Sequence, residues 1–131
     1  MKRLTWPLFL VTFLFLLSAC SVLADPQPKV NEGIKKVKGH YIYGHEVNTF
    51  QPCGKTKVFW VVANNGLLQT LKQSHSKYTL HPYEEVFLEI ESNFLPKASD
   101  GFAMDYDGQV RIFKILSIRK KSKNDCRDFG K

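Results

Sequence analysis

Residues 57–78 read KVFWVVANNGLLQTLKQSHSKY, and within them the pattern changes from that of a strand to that of a helix. Residues 57–63 are almost continuously apolar and rich in β-branched and aromatic side chains, which predicts a strand buried on both faces. Asn65 is the expected N-cap, because a short polar side chain can accept a hydrogen bond from the first helical turn. The apolar residues that follow share one helical face and predict a helix over about 66–77: Leu67, Leu68, Leu71 and Tyr78.

Strand patterns lie on the N-terminal side of this segment. Residues 39–43 are aromatic and β-branched, and Gly44 breaks or bulges the pattern. Residues 46–50 alternate between polar and apolar side chains, which predicts a second strand. A turn is expected at 52–54, which reads Pro-Cys-Gly.

Further strand patterns lie on the C-terminal side. Residues 86–94 alternate most clearly, and they predict a half-buried strand with its apolar face towards the core. Asp107-Gly108 separates two apolar runs, at 102–106 and 109–119. This arrangement predicts a hairpin, because an Asp-Gly pair suits a tight turn with positive φ at both central positions.

The order of elements is three strands, a helix, a strand, a short strand and a strand. This order is that of the OB-fold, although other small barrels share parts of it. We therefore expect a mainly β protein, a small OB-like β-barrel of five to six strands with one α-helix that closes one end. The barrel domain would span 36–131 and include a basic C-terminal tail.

The start of the chain has the features of an export signal. Lys2 and Arg3 precede an apolar run at 4–17, which is shorter than the roughly 20 residues of a spanning helix. Leu17-Ser18-Ala19-Cys20 resembles the bacterial lipobox, in which the cysteine is acylated before cleavage. We expect a lipoprotein signal peptide at 1–19 and a lipid on Cys20.

Two alternatives remain for this segment. An ordinary cleavage before Asp25 would remove Cys20, and an uncleaved anchor would keep it. In the lipoprotein interpretation, residues 20–35 form the lipidated cysteine and a flexible tether, because they carry breaker residues and almost no apolar periodicity. Ser21 is not the aspartate that commonly retains lipoproteins in the inner membrane, which favours the outer membrane, with the domain facing the periplasm.

The cysteine count fits an exported protein. The chain has three cysteines, and lipidation or removal of Cys20 leaves Cys53 and Cys126. Disulfides form and persist in oxidising compartments, so we expect these two to pair. The alternative is that Cys53 is a reactive thiol.

The formal net charge of the chain is +7. Basic clusters of this kind can contact anionic surfaces or polymers, although solvated tails are the simpler interpretation. Export makes nucleic acid an improbable ligand. The basic residues concentrate near both ends of the expected exported domain: Lys29, Lys35, Lys36, Lys38, Arg119, Lys120, Lys121, Lys123, Arg127 and Lys131.

Several short motifs resemble the signature of small bacterial envelope lipoproteins of unassigned function. More distantly, the chain resembles the OB-like domain of NlpE-type lipoproteins, which are linked to envelope stress and copper. The CxxC motif of the other domain of those proteins is absent, so copper handling is not carried over. The resemblance covers about residues 39–126 and implies an envelope location and a fold. The motifs are Tyr43-Gly44-His45-Glu46-Val47, Pro52-Cys53-Gly54, Phe59-Trp60-Val61, 82–86 and 101–108.

No residue pattern predicts a catalytic site, a metal site or a cofactor. His45-Glu46 lacks the second histidine of a His-Glu-x-x-His zinc motif, because position 49 is threonine. Asp105 and Asp107 lack the flanking ligands of a calcium loop. Four histidines without paired spacing are a weak metal signal: His40, His45, His75 and His81.

We therefore expect a membrane-anchored, non-enzymatic binding or interaction module of the bacterial envelope. Its partners would be the membrane, through the lipid, and an unknown envelope protein or anionic polymer. The alternative is a periplasmic metal-binding protein or enzyme that uses His45, Glu46 and nearby acidic residues. The possible binding surface consists of Tyr43, His45, Glu46 and Trp60.

Overall fold

A computed structural model describes residues 33–129. The predicted signal peptide, Cys20 and most of the predicted tether lie outside these residues, as do both predicted cleavage positions. Across the part of the chain that the structure describes, no helix combines the length and apolar character that a bilayer crossing requires. The elements are β1 (Lys35–Gly44), β2 (Val47–Pro52), β3 (Phe59–Val62), α1 (Asn65–Tyr78), β4 (Glu85–Leu95) and β5 (Gly108–Lys120).

The five strands form one closed barrel with the strand order β1-β2-β3-β5-β4. All neighbouring pairs are antiparallel except β3 and β5, which run parallel. α1 connects β3 to β4. The predicted class, a small mainly β OB-like barrel with one helix, is confirmed.

The barrel interior holds a buried hydrogen-bond chain within an otherwise apolar core. The Tyr41 hydroxyl donates to Asn48 Oδ1 at 2.8 Å, and Asn48 Nδ2 donates to the Val61 carbonyl at 3.1 Å. Burial, and secondarily the nearby Tyr43, raises the pKa of Tyr41 far above its usual value. The hydroxyl therefore stays protonated and continues to donate. The apolar residues around it include Phe50, Leu71, Val86, Leu88, Ile90, Val110 and Ile112.

α1 closes one end of the barrel. Leu71 is fully buried there, and His75 is buried beside the rings of Tyr41 and Tyr43. The N-cap is Asn64, one residue earlier than expected: its Oδ1 accepts from the Leu67 backbone N–H at 2.9 Å. The shift follows from geometry, because a cap side chain reaches the N–H two or three residues later.

The burial of two strands differs from the prediction. β3 is short, and within it only Val61 is fully buried, while the other three residues are half-buried. In β4 the alternation places Val86, Leu88 and Ile90 in the core, but Phe94 is 41% exposed. Two register shifts, after Glu89 and after Glu91, leave the extra residues in β5, and Phe94 lies beyond them with its ring 4.6 Å from that of Phe59 between centres.

The hairpin predicted at Asp107-Gly108 is wrong. Residues 102–105 form a short 3-10 helix instead of a strand, and Gly108 pairs with Phe59 at the start of the parallel β3–β5 ladder. Asp107 Oδ2 accepts from the Val58 N–H at 2.8 Å, and the Asp107 N–H donates to the Val58 carbonyl at 3.0 Å. Asp107 therefore joins β5 to β3 and does not form a turn between consecutive strands.

The tail after β5 folds back across the outside of β4 and β1. The Arg119 guanidinium lies 4.1 Å from the centre of the Phe87 ring and 2.6 Å from Asp125. The predicted disulfide joins Cys53 to Cys126, with the Cα atoms 4.9 Å apart. It ties the tail to the turn after β2.

Candidate functional site

The β1–β2 turn is held in place by a tyrosine from the α1–β4 connection. The Tyr83 ring packs on Gly44, where an added Cβ would overlap the ring. The Tyr83 N–H donates to the Tyr43 carbonyl at 2.9 Å, and its hydroxyl donates to the His45 carbonyl at 3.1 Å. Glu46 completes the two-residue turn with a φ of 63°. The turn residues are thus fixed to a second segment of the chain.

Trp60 provides the main aromatic surface of β3 outside the barrel. Its ring centre lies 5.6 Å from that of Tyr106, with the planes tilted by 39°. Tyr106 and Phe102 both belong to the β4–β5 connection, and the Phe102 side chain is largely exposed. The β4–β5 connection therefore extends the aromatic surface that Trp60 begins.

Tyr43 forms the other side of the surface. The Lys72 ammonium from α1 lies 5.1 Å from the centre of the Tyr43 ring, within the range of a cation–π contact. The same Tyr43 ring also contacts His75, with 6.0 Å between the two ring centres. A cation and a half-buried ring are therefore presented side by side.

Apart from Tyr83, Tyr106 and His75, these groups line one open pocket of about 320 Å³, which we call the β2–β3 face. In OB-folds the strand 2–3 face and the loops after strands 1 and 4 bind oligonucleotides and oligosaccharides. The structure brings together all four residues singled out from the sequence, and it adds Lys72 and Phe102, which sequence reasoning missed. The lining consists of Tyr43, Gly44, His45, Glu46, Val47, Asn48, Trp60, Lys72 and Phe102.

The residues of the metal or enzyme alternative do not gather further ligands. His45 Nε2 lies 3.6 Å from Glu46 Oε1, and both side chains are more than half exposed. Within 33–129, no three His, Cys, Asp or Glu side chains come close enough to hold a metal ion. His75 is buried with Nε2 2.7 Å from the Glu84 carbonyl oxygen, and His40 lies against Cys126. His45 and Glu46 therefore stand as an exposed pair at the edge of the β2–β3 face.

The sequence of this chain matches one known protein family. Residues 31–115 match the family described as the NlpE C-terminal OB domain. No curated protein and no solved structure gave a significant match to the chain. The match covers more than half of the chain and spans β1 to most of β5, including α1. The chain therefore belongs to the NlpE C-terminal OB domain family.

Proposed function

We propose that this protein is a lipid-anchored, non-enzymatic binding module of the bacterial envelope, and that its β2–β3 face binds an anionic polysaccharide of the envelope. The lipid on Cys20 would hold the barrel at the outer membrane, facing the periplasm. The observation that carries the proposal is the joining of Trp60 and Tyr106 beside the Tyr43 and Lys72 pair.

Stacking explains why this surface suits a polymer. Exposed aromatic faces can bind successive flat or ring-shaped groups without demanding one sequence, and OB-folds use this region for extended ligands. The half-buried Trp60 and Tyr106 rings begin such a surface, and the exposed Phe102 lies beside Trp60. An extended ligand could therefore contact several rings at once.

Charge supports an anionic ligand. The proposed mature chain keeps a formal net charge of +5, because Lys2 and Arg3 of the +7 chain belong to the predicted signal peptide, and Lys72 lies in the face opposite one acidic residue, Glu46. A positive protein attracts polyanions at long range and raises their rate of association. The charge contribution should weaken as salt shortens the screening length.

The binding test uses the full lipoprotein and isolated peptidoglycan, which is insoluble and sediments with bound protein. Trp60→Ala should lower the affinity at least about fivefold, if a sugar ring packed on Trp60 contributes at least the roughly 1 kcal/mol at the low end of the range for a base stacked on an aromatic side chain. Leu80→Ala is the control, because Leu80 is exposed and lies outside the face. Equal sedimentation of the Trp60 variant and the unaltered protein would contradict the proposal.

A protein ligand is the competing outcome. A photocrosslinker placed at His45 in intact cells should form adducts with glycan fragments. Adducts with one envelope protein alone, lost on Trp60→Ala, would replace the polysaccharide by that protein and overturn this part of the proposal.

The anchor is tested separately. Cys20→Ala should move the protein from the membrane pellet to the soluble or precursor fraction, because the acylated residue is removed. Intact mass of the unaltered mature chain gives the second measurement. A mature chain that starts at Asp25 without acyl groups would contradict lipid anchoring and leave the binding test unaffected.

A further inference from the structure

The end of the barrel opposite α1 is open. α1 follows the end of β3 and precedes the start of β4, so it covers the end of the barrel where those two termini lie. The starts of β1 and β3 and the ends of β2 and β4 meet at the other end, because β1 and β3 run antiparallel to β2 and β4. A cavity of about 610 Å³ opens there, and we call it the lysine-rimmed groove.

The floor of the groove is apolar and aromatic. The rings of Phe59 and Phe94 lie 4.6 Å apart between centres. Phe94 is 41% exposed and Phe129 is 51% exposed, and the two line the same cavity, so they form a patch rather than scattered exposed side chains. Val37 and Pro52 complete the floor. The volume lies within the usual range of small-molecule sites, roughly 300–1,000 Å³.

The rim of the groove is positive. Glu89 is the acidic residue of the lining, and its Oε1 lies 3.8 Å from Lys38 Nζ, so it already has a partner. Within the part of the chain that the structure describes, no ion pair engages the other lining lysines. The lysines of the lining are Lys36, Lys38, Lys55 and Lys57.

We propose that the lysine-rimmed groove binds a fatty-acid anion, with its acyl chain on the Phe59, Phe94 and Phe129 surface and its carboxylate at the lysine rim. The apolar floor can pack against a hydrocarbon chain, and the unpaired lysines at the rim can bind a single negatively charged head group. A neutral hydrocarbon would use only the floor, and a small anion would use only the rim. The groove shares no lining residue with the β2–β3 face, so the proposal stands apart from the proposed function.

The disulfide holds one wall of this site. Phe129 lies three residues after Cys126, and the Phe129 carbonyl approaches Gly54 so closely that a Cβ there would meet it at 2.5 Å. Cys53 itself lines the groove. The tail is therefore part of the binding surface and does not simply end the chain.

The test is photolabelling in intact cells that produce the full chain with its own leader. The probe is a palmitic acid that carries a diazirine near the end of its acyl chain, and the label is mapped by mass spectrometry. Label should appear on peptides that contain Phe59, Phe94 or Phe129. Competition by unlabelled fatty acids should strengthen by up to about fourfold for each added methylene.

Two variants separate the rim from the floor. Lys55→Glu with Lys57→Glu should lower labelling at least about fivefold, since attraction for the carboxylate becomes repulsion. Phe94→Glu should lower it as much by placing a charge on the floor. The matched control is Lys77→Glu with Lys114→Glu, which makes the same charge change at exposed residues outside the groove and should leave labelling unchanged.

Three results would overturn the proposal. The first is label distributed away from the groove, or equal labelling of the charge-reversed and control variants. The second is competition by dodecanamide as strong as that by dodecanoate, which would remove the role of the anion. The third is label that appears only after Cys20→Ala, which would mean that the acyl chain of the protein itself occupies the groove.

Discussion

The two ends of the barrel cover the apolar core to different extents. At one end α1 inserts Leu71 and His75, and both are at most 2% exposed. At the other end the rings of Phe94 and Phe129 remain about half exposed beneath a rim of lysines. A closed barrel needs only one plug to complete its core, so the second end is free to present apolar surface to a ligand.

The difference also separates stability from binding. Side chains at the α1 end pack in the interior, where removal leaves a cavity. The Phe94 and Phe129 side chains at the groove end already contact solvent, so their removal should cost little stability and much affinity. Substitutions at the two ends therefore test whether these roles are distinct.

The largest effect is expected at the α1 end. Leu71→Ala should lower the free energy of unfolding by about 2–5 kcal/mol, because a fully buried leucine leaves a cavity. Urea denaturation measures the change. Leu80→Ala is the matched control, since Leu80 is 88% exposed, and it should stay within about 0.5 kcal/mol of the unaltered protein. Equal losses in the two variants would show that α1 does not close the core.

The next effect belongs to the groove end. Replacing both Cys53 and Cys126 by alanine should cost about 2–4 kcal/mol, because the bridge spans 73 residues and constrains the unfolded chain. Hydrogen exchange should rise first in residues 121–129, while α1 keeps its protection. Loss of protection in α1 before the tail would contradict the separation of the two ends.

A smaller effect is expected at the β1–β2 turn. Gly44→Ala should cost about 1–3 kcal/mol, because its Cβ would overlap the Tyr83 ring. Adding Tyr83→Ala should recover part of the loss, since the overlapping ring is gone. Gly66→Ala is the matched control: its Cβ would meet only Asn64 Oδ1 at an ordinary 3.6 Å. Additive losses in the double variant would refute the overlap.

The smallest effect is a dependence on pH in the tail. Desolvation, the largest single influence, acts to raise the pKa of Asp125, but hydrogen bonds from the Arg119 side chain and the Ser122 N–H, together with nearby positive charge, lower it overall. A lowered folded pKa means that the stabilisation is complete above the ordinary aspartate value of about 3.9 and is lost as pH falls through the folded value.

Hydrogen exchange of residues 121–129 between neutral pH and pH 3, with each rate divided by the intrinsic amide exchange rate at that pH, measures this dependence. Asp125→Asn should already show the faster exchange at neutral pH and should respond less to acid. Asp100→Asn, a change at an exposed loop residue, is the control. If acidification accelerated exchange as much in the Asp125→Asn variant as in the unaltered protein, the pH effect would belong to another group.

Local patterns predicted the elements of this fold well. The alternation at 86–94 and the change from strand to helix at 57–78 both arise from neighbours in sequence, and the structure contains β3, α1 and β4 there. The distant resemblance to the NlpE-type OB domain is confirmed by the family match. These patterns predicted the elements because the apolar side chains that repeat along each element are the ones that it buries.

Strand pairing between distant segments was not predictable, in contrast to the Cys53–Cys126 pair, which the cysteine count predicted. The Asp107-Gly108 hairpin failed because β5 pairs with β3 in parallel, and Asp107 bonds to Val58 instead of closing a turn. The β2–β3 face was predicted in part, since Tyr43, His45 and Glu46 are neighbours in sequence. Phe102 reaches that face through a connection that the sequence suggested to be a strand.

The lysine-rimmed groove had only a partial sequence signal, the basic cluster near the start of the domain that includes Lys36 and Lys38. Its lining comes from β1, the turn after β2, β3, β4 and the tail, and no two of these segments form one motif. Lys55 and Lys57 stand outside the basic clusters near the chain ends. The groove forms only when the strands close into a barrel. The periodicity of the sequence does not specify that closure.

The parallel pairing of β3 with β5 has a consequence for the order of folding. Val58 and Asp107 are 49 residues apart, and their bonds form only after the chain between them has closed into a loop. Folding dominated by such distant contacts is slow, in the range of milliseconds to seconds. Until β5 is available, β3 and β4 keep unpaired edges. A chain that emerges with its N-terminus first therefore cannot reach its native state before β5 has emerged. We expect a translocating chain to stay unfolded, and open to a chaperone, until its last strand arrives.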